Sequence, residues 1–84
     1  MKKNPLTFRI FLKALTLSGL SIKWITAKAT DRFGTKIAHF GSQQDAEGWG
    51  KGDYLVESFD IVGKINANGE IKTYIEVNLV EKEG

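Results

Sequence analysis

The sequence predicts a small all-β domain in which five strands curl into a barrel. Apolar side chains alternate with polar ones at a period of two through most of the chain. These segments are rich in β-branched and aromatic residues, which favour strands. Asn68-Gly69, the strongest short hairpin signal, separates the last two segments. The 84 residues fit a single domain over residues 1–84.

The first predicted strand covers residues 7–13. Its alternation places three apolar side chains on one side: Phe8, Ile10 and Leu12. A helix is the alternative, because Pro5 suits a first helical turn and a stripe at helical spacing also runs through the segment: Phe8, Phe11, Leu12 and Leu15. The β-rich remainder of the chain favours the strand, which places Phe11 on the side away from Ile10.

The second and third predicted strands cover residues 20–29 and 35–40, joined by a turn at Asp31-Arg32-Phe33-Gly34. Residues 41–53 are the one long irregular stretch. This stretch has room for one helical turn over residues 43–47, with Ser42 as its N-cap. We therefore expect a long loop or a short helix between the third and fourth strands.

The fourth and fifth predicted strands cover residues 54–61 and 71–79. In the fourth, one side carries Leu55, Glu57, Phe59 and Ile61. In the fifth, apolar residues alternate with Lys72, Tyr74, Glu76 and Asn78. Five strands with the longest connection after the third match the layout of an OB-fold, a small five-stranded barrel. An SH3-like barrel is the structural alternative.

Charge is distributed unevenly along the chain. Residues 1–40 hold eight lysines and arginines against one acidic residue, whereas residues 41–84 hold four lysines against nine acidic residues. A basic half is a candidate surface for a polyanion if its charges share a face. The simpler explanation of the uneven charge is that these side chains are scattered over the surface and only keep the protein soluble.

Motifs for catalysis and cofactor binding are not found. The chain has no cysteine and one histidine, so disulfides are excluded and a zinc site is disfavoured. The Gly-rich run at 48–52 lacks the Ser or Thr and the following helix of a phosphate-binding loop. His39 has no cysteine or nucleophile-elbow serine to pair with. We expect a binding module, not an enzyme, without metal or small-molecule cofactor.

Membrane insertion and secretion are also disfavoured. No run of eighteen apolar residues occurs. Arg9 and Lys13 interrupt the apolar N-terminal segment, and no cleavage pattern follows it. We expect a cytoplasmic protein with no membrane partner.

Aromatic residues interleaved with basic ones are typical of proteins that bind single-stranded nucleic acid, where cations contact phosphates and rings stack on bases. In OB-folds the second and third strands form the usual binding face. The candidate binding residues are Lys23, Trp24, Lys28, Arg32, Phe33, Lys36, His39, Phe40, Trp49 and Tyr74. Phe33, at a turn, is the foremost stacking candidate, whereas Trp24 and Phe40 could equally fill the barrel.

Several short segments carry a family resemblance: Leu20-Ser21-Ile22-Lys23-Trp24, Phe40-Gly41, Lys51-Gly52-Asp53, Phe59-Asp60-Ile61, Asn66 with Gly69, Tyr74-Ile75-Glu76-Val77, and Asn4-Pro5 with Phe8. The chain resembles, over nearly its whole length, the OB domain of RecJ-type single-stranded-DNA exonucleases. It is also similar to bacterial single-stranded-DNA-binding proteins.

This resemblance implies a module that grips single-stranded DNA with little sequence preference. The RecJ family's metal-dependent hydrolysis rests on an Asp-His-His motif and other aspartates in separate domains, which these residues lack. A nuclease or another protein of DNA replication, recombination or repair is the implied partner. Two alternatives remain: a protein-interaction module that uses the acidic half, and an RNA-binding OB domain.

Overall fold

The computed structural model describes residues 6–19, 22 and 24–82. Its elements are α1 (Phe8–Ser18), β1 (Trp24–Asp31), β2 (Gly34–Phe40), α2 (Gln43–Glu47), β3 (Leu55–Ile65) and β4 (Ile71–Val80). The four strands form one sheet in the order β2-β1-β4-β3. Strands β1 and β4 run parallel, and the hairpins β1–β2 and β3–β4 are antiparallel. The mostly-β prediction is confirmed, but the described residues form an open four-stranded sheet and not a five-stranded barrel.

The missing strand is the first predicted one, which the structure corrects to helix α1. Thr7 caps the helix by accepting a hydrogen bond from the Ile10 amide at 3.2 Å. Gly19 ends it in the left-handed conformation, with a φ of 74°. The alternation over residues 7–13 fits either period, but the helical stripe continues to Leu15 and buries Phe11, which a strand would have turned away from the core.

The core lies between α1 and one face of the sheet. The buried stripe of α1 packs on alternate residues of the two central strands: Ile25, Ala27 and Ala29 of β1, and Ile75, Val77 and Leu79 of β4. The small alanines of β1 leave room for the helix. We call this the helix-side face, and the opposite one, on which α1 does not pack, the open face.

The connection between β2 and β3 agrees with the sequence. Ser42 caps α2 by accepting a hydrogen bond from the Asp45 amide at 3.1 Å, which confirms the predicted helical turn.

The Gly-rich stretch that follows α2 packs against the start of α1. The Arg9 amide donates to the Gly52 carbonyl at 3.0 Å, and a Cβ on Gly52 would lie 2.7 Å from Arg9 Nη2. The stretch is therefore a turn that helps to hold α1.

The β3–β4 hairpin is confirmed, with one correction to its sides. Gly69 adopts a φ of 81°, and its amide donates to the Asn66 carbonyl at 3.0 Å. Asn68 has no positive φ, so the connection is a longer loop closed by Gly69 and not the two-residue Asn-Gly turn, which requires a positive φ at both residues. A β-bulge between Val56 and Ser58 interrupts the alternation of β3. Leu55 was predicted to share a side with Phe59, but the bulge places Val56 there instead, beside Leu79 of the core face.

Candidate nucleic-acid interface

Two aromatic side chains lie next to each other on the open face. Trp24 begins β1 and pairs with Tyr74 of the parallel strand β4. Their chain neighbours Ile25 and Ile75 are buried beneath α1, so the strand alternation turns both rings to the open face. Trp24 remains 46% exposed. An aromatic pair on adjacent strands of an uncovered sheet is a surface on which planar rings can stack.

A groove of about 480 Å³ surrounds this pair. Its lining residues come from all four strands: Trp24, Thr26, His39, Val62, Lys64, Tyr74 and Glu76. The Thr26 hydroxyl and His39 Nδ1 are hydrogen-bonded at 3.1 Å, which fixes the imidazole beside the groove. Lys64 Nζ lies 5.6 Å from the centre of the Tyr74 ring, within the range of a cation–π contact. The groove therefore combines aromatic rings with a cation and hydrogen-bonding groups.

The charges on the open face occur as like-charged neighbours. Lys64 of β3 pairs with Lys72 of β4, and Asp60 of β3 pairs with Glu76 of β4. Directly opposed like charges destabilise a sheet unless a counter-charge lies nearby. Lys28 adds a further cation between Ile37 and Asn78. The open face thus carries a pair of lysines near the hairpin turn and, on the far side of the Val62–Tyr74 pair, a pair of acidic residues.

Arg32 and Phe33 lie at the far end of β1 from Trp24. Phe33 is 84% exposed at the β1–β2 turn, and Arg32 Cζ lies 5.4 Å from its ring centre. Arg32 also forms an exposed ion pair with Glu81 at 3.8 Å. Seven residue steps of about 3.3 Å separate the two ends of β1, roughly 23 Å in all. The structure therefore leaves this predicted stacking site separate from the groove.

Three other predicted binding residues lie on the helix-side face. Lys36 pairs with the buried Ala29, so its side chain starts from that face. Phe40 and Trp49 are in contact, with ring centres 5.3 Å apart, and both pack against the core. Trp49 also meets Phe8 edge-on at 6.1 Å. Phe40 and Trp49 therefore lie with the helix-side core and not on the open face.

The basic half of the sequence does not form one face. Arg9 and Lys13 belong to α1, and Lys36 begins from the helix-side face, whereas Lys28 lies on the open face. Lys23 lies outside the described residues. The sheet order places β1 and β2 in one half of the sheet and β3 and β4 in the other. The groove therefore draws on both the basic and the acidic halves of the chain.

Sequence analysis did not select Thr26, Val62, Lys64, Lys72 or Glu76. The alternation of β4 did place Lys72, Tyr74 and Glu76 on one side, and this is confirmed by the burial of Ile75, Val77 and Leu79. The missing information was the parallel pairing of β1 with β4, for which the sequence carries no local signal.

A second polar cluster connects the end of β1 to the turn before β3. Asp31 Oδ2 accepts hydrogen bonds from the Tyr54 hydroxyl at 2.9 Å and from Lys51 Nζ at 3.4 Å. Lys51 Nζ also donates to the Tyr54 oxygen at 2.8 Å. Asp31 Oδ1 accepts from the Phe33 amide at 2.8 Å, which fixes the β1–β2 turn. These contacts assign Lys51 and Asp31 to the structure of the turn region.

The hydrogen bonds shift the pKa values of both charged members of this cluster. The Phe33 amide, followed by Tyr54 and Lys51, lowers the pKa of Asp31 below its ordinary value of 3.8. The hydrogen bond to Tyr54, together with the nearby Asp31, raises the pKa of Lys51 above 10.5. Both groups are held in their charged forms near neutral pH.

Within residues 6–19, 22 and 24–82, no three His, Asp or Glu side chains gather as a metal site would require. None of the helices in that part of the chain has the length and apolar character needed to cross a membrane. Comparison of the chain with protein-family models, curated proteins and solved structures found no match.

Proposed function

We propose that this protein binds single-stranded DNA across the open face of its sheet, with little sequence preference. The observation that carries the proposal is the pairing of Trp24 with Tyr74 beside the 480 Å³ groove. Each base has a flat face that can stack on an aromatic ring, so such a platform tolerates any sequence. A four-stranded sheet whose uncovered face carries aromatic rings is one known way to bind single-stranded RNA, in which two or three bases stack on the rings.

Cations near the platform support a polyanionic ligand. Lys64 and Lys72 form a like-charged pair at one end of the groove, and Lys28 lies on the same face. A phosphate between the two lysines would relieve their repulsion. Arg32 and Phe33 offer a second contact for a longer strand that continues along β1. The predicted contacts of Lys36, Phe40 and Trp49 are not part of this proposal.

The proposed binding surface differs from the one that the OB resemblance implied. The platform spans β1 and β4 and not only the second and third predicted strands. A role beside a RecJ-type nuclease, or with another protein of DNA replication, recombination or repair, remains part of the proposal and rests on the sequence resemblance alone.

Fluorescence titration with oligo-dT tests the proposal, because the two tryptophans can be separated. Trp49→Phe leaves Trp24 as the only indole, so oligo-dT should still quench the emission. Trp24→Phe leaves only the core-packed Trp49, and the quench should largely disappear. Unchanged quenching in Trp24→Phe, or no binding by the wild-type protein, would contradict the proposal.

Salt dependence separates phosphate contacts from stacking. For single strands the logarithm of the binding constant falls with the logarithm of salt concentration by about 0.7 per phosphate contact. Lys64→Gln and Lys72→Gln should each reduce this slope, whereas Lys13→Gln on α1 is the matched control. A salt-independent affinity would contradict the proposal. Competition between oligo-dT and oligo-U distinguishes DNA from RNA as the preferred ligand.

A further inference from the structure

The outer edge of β3 is largely without a strand partner. Near its start, Thr7 bridges to Leu55, and the Val56 amide donates to the Leu6 carbonyl at 2.8 Å. In the described part of the chain, no strand lies outside β3 beyond that point. A free edge presents unpaired N–H and C=O groups to which another strand can add.

Apolar side chains on β3 extend beyond the area that α1 covers. Phe59 contacts Phe11 of the helix with ring centres 4.9 Å apart, but it is still 46% exposed. Ile61 and Ile65 continue the row on the helix-side face, exposed by 51% and 74%. A row of exposed apolar side chains beside a free strand edge makes this part of β3 a candidate interaction surface.

The open face of β3 carries two charges that lack an opposite charge across the hairpin. Asp60 pairs with Glu76, and Lys64 pairs with Lys72. Both like-charged pairs cost free energy within one copy of the chain. Because Asp60 and Lys64 are four residues apart on the same face, an antiparallel copy of the same strand can bring opposite charges beside each of them.

We propose that β3 pairs antiparallel with β3 of a second copy of this chain, about a two-fold axis at Val62. With Val62 opposite itself, Asp60 lies opposite Lys64 of the second copy, and Lys64 opposite its Asp60. Phe59 then lies opposite Ile65 of the second copy on the helix-side face. The patch is self-complementary, as an isologous two-fold interface requires.

Neighbouring two-fold registers are less favourable. An axis at Asp60 or at Lys64 places that charge against itself, which is repulsive. An axis at Ile61 places Asp60 opposite Val62, so Asp60 has no cation opposite it. The axis at Val62 is the register that pairs both charges, and it joins the two sheets into one of eight strands. In the joined sheet, the row Trp24-Tyr74-Val62 of one copy continues as Val62-Tyr74-Trp24 of the other. The aromatic pairs of both copies therefore lie in one row.

A single introduced cysteine tests the register, because the chain contains none. Val62→Cys places two thiols directly opposite each other at the axis, where cross-strand Cβ atoms are about 4.5–5.5 Å apart, close enough for a disulfide to form after a small adjustment. Mild oxidation should give a covalent dimer. Ile37→Cys is the matched control, because Ile37 lies on the open face of the other edge strand, β2. Equal cross-linking of both variants contradicts the proposal.

Charge reversal tests the pairing without a covalent bond. Wild-type protein should sediment as a dimer in analytical ultracentrifugation. Asp60→Lys and Lys64→Asp each create two repulsive pairs across the axis and should weaken dimerisation by about tenfold. The double variant D60K/K64D exchanges the charges and should restore the dimer.

Circular dichroism confirms that each variant is folded. A wild-type chain that remains monomeric at high concentration leaves the strand edge to a different occupant and overturns the proposal. A dimer that both single reversals leave intact overturns the register and therefore the proposal as well.

Discussion

Trp24 and Tyr74 lie directly opposite each other on the parallel strands β1 and β4, on the face of the sheet that α1 does not cover. They are fifty positions apart in a chain of 84 residues, so only the parallel pairing brings them together. The isoleucine that follows each ring is buried beneath the helix. The same alternation therefore forms the core on one side and the aromatic platform on the other.

Removing the Tyr74 ring should weaken single-stranded DNA binding. Tyr74→Ala is expected to cost about 1–3 kcal/mol of binding free energy, because one stacked base loses its platform. Phe33→Ala is the matched control for a short oligonucleotide that spans only the groove, since Phe33 lies at the other end of β1. Fluorescence anisotropy with short and long oligo-dT measures both. Equal losses with the short oligonucleotide would show that the groove is not the site.

Neutralising Glu76 should tighten DNA binding. Its carboxylate lines the groove beside the aromatic pair and repels a phosphate backbone. Glu76→Gln keeps the side-chain shape and should raise affinity, with the largest gain at low salt. Glu47→Gln, on α2, should leave affinity unchanged. Weaker binding by Glu76→Gln would indicate that the carboxylate accepts a hydrogen bond from a base.

Ile10 and Phe11 distinguish helix α1 from a strand over residues 7–13. Phe11 is 4% exposed and Ile10 is 52% exposed. Phe11→Ala should therefore lower the free energy of unfolding by about 3–5 kcal/mol, whereas Ile10→Ala should change it far less. Urea denaturation followed by circular dichroism measures both. The opposite ranking would support a strand in this segment.

Acid should destabilise the protein partly through Asp31. Because folding lowers the pKa of Asp31 below 3.8, the unfolded chain binds its proton more tightly than the native chain. The stabilisation is fully present above the unfolded pKa and is lost as pH falls through the lower folded pKa. Asp31→Asn should be less stable than wild type at pH 6, and the difference should shrink below pH 3.8.

Lys51, which is hydrogen-bonded to Asp31, makes the free energy of unfolding depend on pH in the alkaline range. Folding raises the pKa of Lys51 above 10.5, so its contribution is present below that value and disappears as pH rises through the folded pKa. Urea denaturation midpoints measured across both pH ranges test these directions. Parallel pH profiles for wild type and Asp31→Asn in acid would show that Asp31 does not titrate with folding.

Local signals in the sequence predicted several elements correctly. Ser42 predicts the N-terminus of α2, and Asn68-Gly69 predicts a turn between β3 and β4. The alternation of residues 71–79 predicts which side of β4 is buried. Each of these features depends on a few neighbouring residues, whose capping, turn or pleat preferences act within the segment itself.

The first segment shows where local signals fail. Residues 7–13 alternate like a strand, and the same residues also carry a helical stripe. The choice depends on whether Phe8, Phe11, Leu12 and Leu15 can be buried together, and the sheet beneath α1 provides that surface. The Val56–Ser58 bulge is similar, because an extra residue in β3 is defined only by its pairing with β4.

The sequence by itself determined a mostly β protein, and it identified Trp24, Lys28, His39 and Tyr74 among the residues now found on the open face. Only the tertiary structure decided which aromatic rings remain accessible. Phe40 and Trp49 carry the same sequence signal as Trp24, but helix α1 requires their apolar area on its side of the sheet. Burial is decided by what packs against a face, and that partner lies far away along the chain.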